Sequence, residues 1–133
     1  VSFEWPVRVY YEDTDAGGIV YYANYLKFCE RARTEWLRSL GVEQDTWLQK
    51  GVGFVVRKAE LDLRAPARFN DELTVTCEVE RLRKASIEFS QNIYNATGEL
   101  LCRARIVAAC VDIIAVKTKA IPSSIIEVIR GAS

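Results

Sequence analysis

The chain has 133 residues, enough for a single domain over 1–133 and too few for a second core. Its 18 basic and 18 acidic side chains cancel, so no global field recruits nucleic acid, and no apolar run approaches the roughly 18 residues a membrane helix needs. It contains no histidine. That excludes Ser-His-Asp hydrolysis, Cys-His proteolysis, His-Asp dehydration and histidine-ligated zinc.

In chain order, Val7, Val9 and Tyr11 alternate with Arg8 and Tyr10, which predicts a first strand. No basic segment followed by an apolar stretch stands before it at Val1–Trp5, so no secretory leader is expected. A polar turn rich in acid and glycine, Glu12–Gly18, follows. The period then changes to that of a helix: Tyr22, Leu26, Cys29, Ala32, Trp36, Leu37 and Leu40 fall on one face, with Gly41 as its stop. A short helix is expected near Asp45–Lys50. Ala59, Leu61 and Leu63 mark a second strand, Leu73 to Val79 a third, and Ala85 to Ile93 a fourth. Each has one dry and one wet face, as antiparallel strands do. Asn95-Ala96-Thr97-Gly98 is a hairpin turn. The fifth strand becomes apolar on both faces through Ile106–Val111, which predicts a central strand covered twice. Ser124 and Glu127 have capping-box spacing for a short last helix. One long amphipathic helix against one antiparallel sheet is an α+β arrangement.

Cys29, Cys77, Cys102 and Cys110 form no C-x-x-C pair and read as reduced, small apolar side chains, so neither metal nor bound cofactor is expected. The chemistry then falls to carboxylates, hydroxyls, amines or backbone dipoles. The segment Tyr11–Tyr25 combines acidic side chains in a turn, glycines that let backbone approach a ligand, and the start of the longest helix, where free N–H groups favour negative charge. A carboxylate beside such donors suits attack on a carbonyl. Asx turns and helix capping by Asp13 and Asp15 account for the same residues. Tyr21, Tyr22 and Tyr25 either line an aryl or acyl pocket or simply pack. Glu30 and Glu35 are further candidate acids, or partners of Arg31, Arg33 and Arg38. Arg81, Arg83 and Lys84 cluster where the alternation of the third strand breaks. They either grip phosphates or form a solvated turn.

Asp13-Thr14-Asp15-Ala16-Gly17-Gly18-Ile19-Val20-Tyr21-Tyr22-Ala23-Asn24-Tyr25 resembles the D-x-D-x-x-G-x-V-x-x-x-x-Y signature of the 4-hydroxybenzoyl-CoA thioesterase family of hot-dog proteins. Across essentially all 133 residues the chain is similar to the bacterial YbgC type, acyl-CoA thioesterases encoded with the Tol-Pal cell-envelope system. Glu30–Glu35, Arg64–Arg68 and Cys110-Val111-Asp112 add to the likeness. The resemblance implies a five-stranded antiparallel sheet wrapped around one long helix. It implies a homodimer joined edge to edge, or a tetramer of two such dimers, with acyl-CoA bound at the interface. It places the catalytic carboxylate on Asp15, as nucleophile or as base, with Asp13 shaping the turn. The carbonyl-polarising backbone N–H falls on Tyr22, with Gly18 and Val20 forming the approach. Many YbgC-type members carry His where this chain has Tyr22. The resemblance also implies a bacterial, cytoplasmic setting near the inner membrane. The alternative it carries is a non-catalytic module that binds acyl carrier protein or enzymes of phospholipid synthesis.

Overall fold

The computed structural model describes residues 3–132; Val1, Ser2 and Ser133 lie outside the described residues, and with them the start of the segment read for a leader. The first strand, β1 (Phe3–Arg8), ends before a 3-10 turn at Tyr11–Asp13. The strand expected over Val7–Tyr11 therefore sits earlier. Val9 is fully buried, but Tyr10 and Tyr11 are exposed because the chain leaves the sheet edge to build the acidic turn.

Helix α1 (Asn24–Ser39) buries Tyr25, Phe28, Cys29, Ala32, Trp36 and Leu37. Tyr22 precedes the helix and Leu26 faces outward, so both leave the expected dry face, while Phe28 and Tyr25 join it. Gly41, at φ +86°, ends the helix in a conformation that a Cβ would strain. Helix α2 (Gln44–Gln49) follows as expected.

Four long strands complete the sheet: β2 (Val52–Leu63), β3 (Glu72–Leu82), β4 (Ser86–Tyr94) and β5 (Leu100–Asp112). A two-residue β6 (Lys117–Thr118) pairs with β5, and α3 (Ser123–Ala132) closes the chain. Helix α3 starts one residue before the Ser124 expected as its cap. The order is β1-β3-β4-β5-β2, with every pairing antiparallel. Counted fully the sheet has six strands, the five expected and β6. It curls around α1, which packs on β3 and β1 and meets β4 through the Trp36–Phe89 ring contact, 5.8 Å between centroids. This is the hot-dog arrangement.

The core gathers Phe28 and Trp36 of α1 with Leu73, Val75, Ile87, Phe89, Ile93 and Ile106 of the sheet. Within it lies a polar pair. Arg33 is 9% exposed and donates to Gln91 Oε1 at 3.0 Å, and Gln91 Nε2 donates to the Cys29 carbonyl at 3.0 Å. Burial lowers the Arg33 pKa. Residues 106–111 of β5 are all buried, as their two-sided apolarity predicts. Ile106, Ala108 and Cys110 face the core, and β5 lies between β4 and β2. All four cysteines are free and buried. Desolvation pushes the Cys29 and Cys77 thiols up to about 12.

The two ends of the sheet differ. One end holds the close of β1, the start of β3 and the close of β2. The other holds the β3–β4 turn, the close of β5 and the start of β2.

Candidate active site

At the first of these ends, the acidic turn is folded back on itself. Thr14 and Val20 form an antiparallel bridge, as do Ile19 and Arg68. Gly18, at φ +77°, makes the reversal between them. The Val20 N–H donates to the Ala67 carbonyl at 2.8 Å, which ties the turn to the β2–β3 connection.

The two aspartates of the turn are built differently. Asp13 is 5% exposed. Its Oδ2 accepts the Tyr10 N–H at 2.9 Å, its Oδ1 accepts the Asn24 side-chain amide at 2.9 Å, and its carbonyl accepts the Tyr21 N–H at 2.9 Å. It has no free acceptor to offer a ligand and clamps the end of β1 to the start of α1. Asp15 is exposed. Its Oδ1 accepts the Gly17 N–H at 2.8 Å, an Asx turn that orients the carboxylate and leaves Oδ2 open.

Asp15 opens on a cavity of about 330 Å³ lined by Val20, Tyr22, Tyr25, Leu63 and Pro66. Its walls are mostly apolar. Tyr25 is buried, and its Oη accepts the Ala67 N–H at 3.2 Å. Burial raises its phenol above the ordinary value, so at neutral pH it stays protonated. Tyr25 is thus a wall and a prop for the β2–β3 connection. The Tyr22 ring is 57% exposed and lies 4.9 Å from the Tyr21 ring.

The backbone here has two unused donors. Asn24, Tyr25 and Leu26 donate to the carbonyls of Tyr21, Tyr22 and Ala23, but the N–H groups of Tyr22 and Ala23 have no acceptor among the described residues. They stand at the positive end of the 16-residue α1. Asp15 and Tyr22, whose backbone N–H is free, line one cavity with apolar walls, an arrangement able to bind and attack a polarised carbonyl.

The other expected residues lie elsewhere. Arg81, Arg83 and Lys84 are exposed at the opposite end of the subunit. They are separated from the acidic turn by the 11 residues of β3, on the order of 30 Å. The register of β3 shifts between Val79 and Arg81, where the alternation breaks. Glu35 pairs with Arg38, not Arg31, and Glu30 accepts the Thr34 hydroxyl at 3.0 Å, so neither enters the cavity. The Arg64–Pro66 wall was recognised only as a likeness; its position on a turn carries no chemical signal. No cluster of metal-ligating side chains occurs among the described residues.

Comparison with known proteins identifies the family. The family model of the thioesterase-like superfamily matches residues 9–129. The chain belongs to the thioesterase-like superfamily. Within it, the chain is 48% identical over 124 residues to the acyl-CoA thioester hydrolase YbgC of Escherichia coli O6:H1, covering 93% of this chain and 92% of that one. It is 45% identical over 125 residues to the acyl-CoA thioesterase YbgC of Haemophilus influenzae, covering 93% and 91%. Among solved structures of the superfamily, the 1,4-dihydroxy-2-naphthoyl-CoA thioesterase of Synechocystis superposes with a TM-score of 0.90 at 26% identity, covering 98% of this chain and 96% of that one.

Proposed function

We propose that this thioesterase hydrolyses acyl-CoA to a free acid and CoA, with Asp15 as the catalytic carboxylate and the Tyr22 N–H as the donor to the thioester oxygen. The observation that carries the reading is the contrast at one cavity. Asp13 is buried and satisfied, Asp15 is open, and the Tyr22 and Ala23 N–H groups lack acceptors. A backbone N–H that no protein carbonyl occupies is available to a developing oxyanion without first breaking a hydrogen bond. Asp15 then either attacks the carbonyl carbon and forms a mixed anhydride, which water cleaves to the free acid and the regenerated carboxylate, or takes a proton from the attacking water. In both cases the thiolate of CoA leaves. Neither route uses a Tyr22 side-chain function, so a phenol there is compatible with the backbone role. The YbgC relatives named above supply the acyl-CoA class.

The same reading includes a dimer formed through β2. This strand pairs on one side only, with β5, and shows Val55, Val56 and Leu63 at the surface. Antiparallel pairing of two β2 strands about a two-fold axis sets the start of one against the end of the other. The partner's β3–β4 turn then comes to the same end of the assembly as Asp15. Arg83 and Lys84 of the partner subunit would stand three strand spacings, about 15 Å, beyond its β2. That suits the phosphates of CoA, which lie far from the scissile bond.

The test is Asp15→Asn. It keeps the shape and the Asx turn but supplies neither nucleophile nor base. The expected result is a fall in kcat of at least about 10²-fold with KM little changed. Wild-type turnover by this variant across a panel of acyl-CoAs overturns the assignment.

A further inference from the structure

At the end of the subunit opposite Asp15, a hairpin projects from β5 into β6. Its tip carries Ile113, Ile114, Ala115 and Val116. Ile114 is 89% exposed and Val116 78% exposed, the barest large aliphatic residues among those described. The hairpin is built, not loose. Asp112 Oδ1 accepts the N–H groups of Ile114 and Ala115 at 2.9 and 3.0 Å, and the Asp112 carbonyl accepts the Val116 N–H at 2.8 Å. Val116 is held at φ +52°, a region that a β-branched residue rarely adopts. Ile113 anchors the base. A Cβ on Gly53 would meet Ile113 Cδ1 at 2.5 Å and Leu48 Cδ2 at 3.0 Å, so the half-exposed Leu48 extends the apolar surface.

Cations follow this tip in the chain and stand at its base. Lys117 and Lys119 follow it in the chain. The Ile121 N–H donates to the Lys84 carbonyl at 2.8 Å, which sets Lys84 and Arg83 alongside. Lys50 belongs to the same end, since the Ile113 N–H donates to the neighbouring Gly51 carbonyl. None of these five side chains lies within ion-pairing distance of a carboxylate among the described residues, in a chain whose net charge is zero. The carboxylate of the hairpin, Asp112, is engaged by the backbone N–H groups of the tip.

We propose that the β5–β6 hairpin is a membrane-surface anchor, with Ile114 and Val116 entering the acyl boundary of an anionic bilayer and Lys117 and Lys119 resting on its headgroups. Charge complementarity selects this partner. Lys117 and Lys119, beside a rigid aliphatic tip and outside ion-pairing distance of a carboxylate, match negative headgroups over an apolar layer, whereas nucleic acid or an acidic protein surface would use the cations and leave the tip in water. Lys119 also feels the charge of Asp112, and Lys50 at the base is held over the Trp47 ring. The area is small, so binding is weak and reversible. It places the enzyme where amphiphilic thioesters partition, and it is independent of the catalytic assignment.

The experiment is sedimentation of the full-length wild type with phosphatidylglycerol–phosphatidylcholine vesicles and with pure phosphatidylcholine vesicles, at low and high salt. The expected result is binding to the anionic vesicles that falls at high salt. Ile114→Ser and the pair Lys117→Gln/Lys119→Gln should each weaken it by about tenfold or more, with hydrolysis of a short, water-soluble acyl-CoA unchanged. Equal binding to both lipids, no binding by the wild type, or full binding by Ile114→Ser overturns the anchor. A change of oligomeric mass in Ile114→Ser also overturns it, by showing that a second copy covers the tip.

Discussion

Asp13 and Asp15 are separated by one residue, yet the first is sealed under the turn and the second faces the cavity. Replacing Asp13 by Asn removes one acceptor and sets an amide donor against either the Tyr10 N–H or the Asn24 amide, both of which now donate to it. Leaving such a buried donor unmatched costs ~1–3 kcal/mol. Asp13→Asn should therefore lower the melting temperature by several degrees, read by circular dichroism, with kcat reduced far less than in Asp15→Asn. The buried thiols make a second residue-scale statement. Desolvation pushes the Cys29 and Cys77 thiols up to about 12, whereas an unfolded cysteine ionises at ~8.5. The folded pKa is raised, so this contribution is complete below the unfolded value and is lost as pH rises toward the folded one. Urea midpoints should fall above about pH 9, and a Cys77→Ala variant should show a shallower fall. A steeper fall in that variant would contradict the cause.

Among the elements, those with alternating faces were legible in the sequence. The dry face of β3, with Leu73, Val75 and Cys77, was read directly, as was the two-sided apolarity of β5. Residues 52–57 of β2 were not. Val52-Gly53-Phe54-Val55-Val56-Arg57 does not alternate, because this edge strand bulges between Val56 and Lys58 and has little cover on either face. Arg33 was hidden for a different reason. A charge on a helix reads as solvated, and its burial depends on Gln91, 58 residues away on β4, and on the Phe89 ring beneath the guanidinium. The site divides in the same way. The motif located Asp15, but the different burial of the two aspartates depends on Asn24 and on a returning strand end, which are contacts in space and not spacings in sequence. The edge of β2 gives the element-scale prediction. Val55→Lys together with Val56→Lys adds like charges to a pairing edge. The mass by light scattering should fall to that of one chain, and acyl-CoA hydrolysis should fall with it. An active double variant of unchanged mass would remove β2 from the interface.

At the scale of the molecule, the distance between Asp15 and the β3–β4 turn becomes informative. If the turn serves substrate, it serves the site of the other subunit. Contacts to remote phosphates act equally on ground state and transition state. Arg81→Ala, Arg83→Ala and Lys84→Ala together should raise KM for acyl-CoA with kcat nearly constant, and the difference should shrink at high salt. An acyl-N-acetylcysteamine, which lacks those phosphates, should be hydrolysed as by the wild type. Parallel loss on both substrates would assign the turn to the fold. The burial of all four cysteines also has a practical side. With thiols so reluctant to ionise, the native surface is blank to maleimides at neutral pH. A single cysteine placed at Ile114 would be the one fast-reacting position, ready to carry a polarity-sensitive dye or a spin label. The untouched natural chain thus accepts a site-specific reporter without first being stripped of its own sulfur.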